Sequence, residues 1–377
     1  MRHELINVTS LEQCTQAIQA TIDNTFTPTL AFVFASIQYD LEALNRLLGQ
    51  YDFITIGAST DGEIFADESL GVHTVEQTIT IMLLDVNPHA IALKSFAPTN
   101  TDFFELGQQT SAWALERFDA PALLIVTAGL LFDCESYVQG VQTSISSLFG
   151  ASAADDRTLT GTYVFSGTEL LSAGTLVLAI DTHCIDVTSS LGFGWSGIGP
   201  QRLLTKSFYN VVYTIDDQPA LNFYKNYLNL SQEDMPHRGG DYPLEIELPS
   251  GQIYYRAPLG MNEEDGSLIF AGHVEQNAKV RISAPIGRNL IDQVGEQIQD
   301  TQERRADFTL IFPCTSHKKL LGSFSNLEIE KVYRATHHAP MIGFYTYGEI
   351  TSSSLQERAL HNQSIVTLQL TEKSPCP

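Results

Sequence analysis

An eight-residue pattern written twice constrains this chain more than anything else in it. Residues 57–64 read GASTDGEI and residues 343–350 read GFYTYGEI, each copy of G-x-x-T-x-G-E-I lying directly behind an apolar run. A shift of 286 positions lays Ile56 on Ile342 and keeps register without a gap to Leu84 on Leu370. Nine of the 29 pairs are identical, and six of those nine fall within residues 56–64. Both copies are also preceded by a strand-like run (TLAFVFAS, 29–36; DFTLIFPC, 307–314) and a helical pattern. The expected fold therefore carries a strand, helix, strand, G-E-I turn, strand unit at each end of the chain, the two facing each other across a pseudo-two-fold. A single copy reads as a turn in which Gly57 and Gly62 supply backbone freedom and Thr60 caps. Repeated, the pattern sets Glu63 and Glu349 just past a strand's carboxyl end, where open α/β sheets bind ligands.

Between the copies, short β-branched runs such as ALLIVTAG (122–129) and GTLVLAI (174–180) alternate with helical patterns. DLEALNRLLGQY (40–51) opens on a capping Asp, puts Leu41, Leu44, Leu47 and Leu48 on one face and stops at Gly49. The expected class is α/β, as two layered α/β domains.

Composition narrows the partners. A formal charge of −23 over 377 residues excludes nucleic acid, whose phosphates reward Lys/Arg surfaces, and disfavours an anionic membrane surface. No apolar run is long enough for a spanning helix, and the N-terminus lacks the continuous apolar core of a secretory signal. The five cysteines, at 14, 134, 184, 314 and 376, form no C-x-x-C pair; reduced thiols in a cytoplasm are expected. No metal-ligand spacing occurs among the ten histidines.

Four stretches, LFGASAADDRTLTGTYVF, GFGWSGIGPQRLLTKSFYNVVYTIDDQPALNFYKNYL, IFPCTSHKKLLG and GFYTYGEI with LHNQSIVTLQL, resemble the FIST proteins, which join an N-terminal and a C-terminal FIST domain. The resemblance implies a FIST N-type domain over 1–220 and a C-type domain over 221–377. It implies a cytoplasmic sensor in bacterial signal transduction that binds a small ligand, such as an amino acid or similar metabolite, and does no catalysis itself. Its partner would be a separate protein, such as a histidine kinase or a cyclic-dinucleotide enzyme. One branch of the family binds haem and senses nitric oxide through a partner kinase; for that alternative the axial candidates are His183, His317 and His361. His317 stands where the family often has Arg, and Ser364 replaces the Thr of HNQT.

Candidate ligand residues follow from chemistry and from position. Arg256 offers a planar fork to a ligand carboxylate, unless an ion pair with Glu245 or Glu247 occupies it, and Glu63 or Glu349 offers the complementary charge. Trp195 sits in a Gly-rich stretch as either a packed ring or a ligand lid. The small-residue turn GASAADD (150–156) permits close backbone approach to a ligand. Thr60, Cys314, Tyr345, Tyr347, His361 and Asn362 complete the set, weighted to the C-terminal copy. Two other classes stay open: an interaction protein without a ligand, and a hydrolase built on Cys314.

Overall fold

The computed structural model describes residues 1–22, 25–98, 102–145, 147–228, 238–285, 289–299, 305–352, 358–374 and 376. It is a mixed α/β structure in which the unit foreseen at the two ends occurs three times. The first unit runs β1 (Arg2–Val8), α1 (Leu11–Thr21), β2 (Leu30–Ala35), α2 (Leu41–Leu48), β3 (Ile54–Ser59), β4 (Glu63–Asp67), β5 (Gly71–Val75) and β6 (Ile79–Asp85). The second repeats the order as β7 (Ile91–Phe96), α3 (Phe103–Arg117), β8 (Pro121–Thr127), α4 (Cys134–Gly140), β9 (Ser147–Ser152), β10 (Val164–Phe165), β11 (Leu170–Leu171) and β12 (Thr175–Asp181).

The third unit begins with β13 (Ile185–Phe193) and is then interrupted by an insert. The insert comprises β14 (Trp195–Gly197), β15 (Arg202–Phe208), β16 (Val211–Ile215), β17 (Gln218–Pro219), α5 (Ala220–Leu228), β18 (Leu244–Glu247), β19 (Ile253–Arg256), β20 (Pro258–Asn262), β21 (Ser267–Phe270) and β22 (Lys279–Pro285). The unit resumes with α6 (Asn289–Gln299), β23 (Phe308–Pro313), α7 (Thr315–Leu321), α8 (Ser325–Ala335), β24 (Met341–Phe344), β25 (Gly348–Ser352), β26 (Arg358–His361) and β27 (Ser364–Glu372).

Each unit builds a four-stranded sheet, β1-β6-β2-β3, β7-β12-β8-β9 or β13-β27-β23-β24, and gives its hairpin away. Hairpin β4-β5 extends the third unit's sheet at β24, β10-β11 extends the first at β3, and β25-β26 extends the second at β9. The exchange is cyclic, so the end units are related by a pseudo-three-fold that includes the middle of the chain, not by the expected two-fold. The inner faces of all three sheets share one core containing Phe32, Phe34, Leu124, Phe149, Phe308, Phe312 and Phe344, with Phe34 and Phe344 rings 4.7 Å apart. The outer faces are covered by α1 and α2, by α3 and α4, and by α6 and α8.

The repeated octamer is the corner of this exchange. Asp61 N donates to Tyr345 O (3.1 Å), Tyr347 N to Ser152 O (3.3 Å) and Ala154 N to Ser59 O (2.9 Å), a closed ring of three bonds linking the units. The first glycine of the pattern is explained by close approach. A Cβ on Gly57 would fall 2.1 Å from the Phe165 ring, on Gly150 1.7 Å from Ile125 O, and on Gly343 1.8 Å from Ile311 O.

One expectation is overturned. Cys184 and Cys376 form a disulfide, and only Cys14, Cys134 and Cys314 are free, all of them buried. Antiparallel pairing of β13 with β27 sets Ile185 opposite Glu372, so the segments flanking that end of the ladder meet. Sequence spacing carries no trace of this, because the two cysteines lie 192 positions apart.

Candidate functional site

The N-terminal copy of the corner is a closed hydrogen-bond set. Glu63 is fully buried and accepts from Thr60 Oγ1 (2.5 Å), Thr78 N (3.2 Å) and Thr78 Oγ1 (2.8 Å). Burial pushes its carboxyl up to about 7, although these bonds pull the other way. Thr78 is presented by Gln77, a non-glycine residue at φ +57.

The C-terminal copy has the same frame and an unfinished interior. Glu349 Oε2 accepts from Ser364 N (3.2 Å) and Oγ (2.7 Å), and Gln363 before it sits at φ +63. Thr346 turns away from Glu349, its hydroxyl reaching Ser152 O (2.5 Å) and Gly348 O (2.9 Å). Both ring nitrogens of His361 and Asn362 Oδ1 have no hydrogen-bond partner among the described residues, although all are buried, and the Cys314 thiol lies against Glu349. Burial holds the Glu349 carboxyl well above its ordinary range despite the Ser364 bonds, and burial with the nearby Arg256 charge drives His361 down to about 3. His361 is therefore uncharged at neutral pH.

Beside this corner lies a cavity of about 1000 Å³ between the insert and the three-fold body. Unit 2 contributes Leu130, Phe132, Asp133, Glu135, Ser152, Asp156, Arg157 and Leu159; unit 3 contributes Cys314, Ser316, Lys319, Tyr347, Leu360, Asn362 and Gln363. The insert closes it with Tyr209, Asn210, Asp241, Leu259, Phe270 and His273. The cavity thus sits where the three-fold pattern is broken, by the insert and by the long β9–β10 connection. That connection holds Asp156, Arg157 and Leu159 at φ +52, +61 and +54, a cluster of costly conformations of the kind found at ligand sites. Asp155 anchors it. Burial would raise this carboxyl, but bonds from the Tyr347 hydroxyl and from the N–H groups of Leu159, Thr160 and Gly161 outweigh burial and lower it.

The expected residues divide accordingly. Cys314, Tyr347 and Asn362 line the cavity; Tyr345, Glu349 and His361 are buried outside its lining. Thr60 and Glu63 stay in the closed N-terminal corner. Trp195 is 3 % exposed, packed on His317 with ring centroids 4.7 Å apart. Arg256 finds its carboxylate in Glu135 (2.9 Å), not in Glu245 or Glu247, and its other nitrogens reach His273 O (3.0 Å) and Leu360 O (2.9 Å). It is the bolt between insert, α4 and β26. None of the haem candidates lines the cavity. His183 is exposed, His317 is bonded through Nδ1 to Glu328 (2.7 Å), and His361 faces Phe193 with ring centroids 5.7 Å apart. These positions do not fit an iron held in the cavity. Sequence reading missed Asp133, Asp156, Arg157, Asn210 and His273; Asp156 and Arg157 lie in LFGASAADDRTLTGTYVF and Asn210 in the stretch that begins GFGWSG, where nothing singled them out.

The chain is thus an α/β body with a roomy cavity under an inserted lobe. Family comparison makes this specific: a FIST N domain matches residues 29–218 and a FIST C domain matches residues 220–352. The chain belongs to the FIST family, whose domains are associated with signal transduction and small-ligand sensing. A search of curated proteins gives no match. Among the described residues, no helix is long and apolar enough to cross a membrane.

Proposed function

We propose that this protein is a cytoplasmic, non-enzymatic sensor that binds a small ligand, an amino acid or similar metabolite, in the cavity between insert and body. It passes the signal to a separate protein, such as a histidine kinase or a cyclic-dinucleotide enzyme. One observation carries the reading: of two equivalent corners, only the one beside the cavity leaves buried polar groups unpaired among the described residues, and one residue that carries such a group, Asn362, lines the cavity. An orphaned buried acceptor costs about 1–3 kcal/mol, which a ligand donor would recover. Arg256 supplies the route outward, since it ties the insert to Glu135 and Leu360, both on the wall.

The hydrolase alternative is disfavoured. Burial raises the Cys314 thiol, and its Sγ is bonded to Ser316 and to no described histidine. A thermal-shift panel of the amino acids tests the proposal, with Asn362→Leu as control. A ligand that raises the melting temperature of the native chain and not of N362L is expected. If nothing in the panel acts, or if N362L responds equally, the cavity is not the site.

A further inference from the structure

Resting on the cavity reading, the charges around the wall narrow the ligand further. We infer that the cavity selects an organic ammonium, an apolar body carrying an amine, over ligands whose only charge is a carboxylate or phosphate. Each cation at the wall is already committed. Arg157 Nε is 3.3 Å from Asp61, Lys319 Nζ is 2.8 Å from Asp241, and Arg256 behind the wall is paired with Glu135. A ligand carboxylate would have to share a cation with the carboxylate that cation already faces.

Two wall carboxylates, by contrast, have no cation within ion-pair distance among the described residues. Asp133 accepts only from Ser136, at the start of α4, and Asp156 accepts from the Ser36 hydroxyl at 2.6 Å. Asn362, 97 % buried, lines the cavity, and its Oδ1 has no donor among the described residues; a carboxylate or phosphate oxygen cannot supply one. The rest of the lining is largely apolar, with Leu130, Phe132, Leu159, Leu259, Phe270 and Leu360. The field of a chain carrying −23 also draws cations to the mouth and repels anions.

The test is calorimetry on the full chain with a matched series: 2-phenylethylamine, phenylalanine and 3-phenylpropanoate, which share a phenyl ring and differ in charge. Binding is expected in that order, with the amine at least tenfold tighter than the carboxylate. Asp156→Asn should weaken the amine about tenfold and leave the carboxylate unchanged. Asp133→Asn, which retains a capping side chain, serves as the second variant should D156N fail to fold. Equal or tighter binding of the carboxylate, lost in N362L, overturns the charge assignment and leaves the cavity standing as the site. Binding that N362L does not alter, or no binding by any probe, overturns both.

Discussion

Glu63 and Glu349 occupy the same place in two copies of one corner, each taking a backbone N–H and a hydroxyl from a residue 15 positions on. Glu63 gains a third donor from Thr60 and is closed off. Glu349 loses it, because Thr346 bonds to backbone carbonyls instead. The frame is thus held by the glycine, the left-handed glutamine and the Glu–hydroxyl pair, while the remaining polar positions are free to serve something else. The middle unit completes the lesson. Val164 pairs with Ala58 as Glu349 pairs with Ala151, and Gly174 holds the place of Thr78 and Ser364. Carboxyl and hydroxyl have gone together, as they must when neither can be buried alone.

Installing the missing carboxyl gives the largest expected effect. Val164→Glu should cost about 3–4 kcal/mol in urea denaturation, since it buries an acid without a donor. The matching hydroxyl cannot be restored at Gly174, where a Cβ would fall 2.9 Å from Phe96 O. A cost for V164E of under about 1 kcal/mol would mean that the three corners are not equivalent.

Next comes pH. A carboxyl whose folded pKa is raised binds its proton more tightly in the folded state, so stability is full below the unfolded value of about 4 and declines as pH rises. For Glu63, with a folded value of about 7, the loss amounts to roughly 3 kcal/mol and is complete above neutrality; Glu349 acts in the same direction. Melting temperatures measured from pH 4.5 to pH 8 should therefore fall, and Glu63→Gln with Glu349→Gln should flatten the curve.

Removing the hydroxyls should separate the copies. Ser364→Ala takes the one side-chain hydroxyl bonded to Glu349 and is expected to cost about 2 kcal/mol, whereas Thr78→Val leaves Glu63 its Thr60 bond and should cost about 1 kcal/mol. The smallest effect concerns the left-handed glutamines. Gln77→Gly should gain about 0.5 kcal/mol by relieving φ +57. Gln363→Gly should gain nothing, because Gln363 also accepts from Ser316 (2.6 Å) and donates to Gly240 O (3.0 Å). Equal responses at 77 and 363 would erase the distinction between a closed and an open corner.

Much of this frame is legible in the sequence. Periodicity finds most of the strands, and the 286-residue register survives intact because β-sheet pairing tolerates no slip on buried faces. The middle copy escapes notice because Val164 and Gly174 replace the pair that marks the others and because the β9–β10 connection is longer; only Gly-Ala-Ser at 150–152 is shared with 57–59. The cavity is less legible. Its wall is assembled from segments far apart in the chain, and residues such as His273 and Asn210 carry no local pattern. Arg256 misleads for the same reason: the acids expected to pair with it, Glu245 and Glu247, lie on neighbouring β18, yet its partner comes from α4.

The circular gift of hairpins also imposes an order of assembly. The first sheet is complete once residue 171 has emerged, but the edge of β4 has no neighbour until β24 is made near the other end of the chain. Throughout synthesis the N-terminal third therefore carries a bare strand edge, a site for pairing with the wrong chain. A product cut short before residue 341 leaves that edge permanently open. The partner that covers β4 is thus supplied only by residues 341–344.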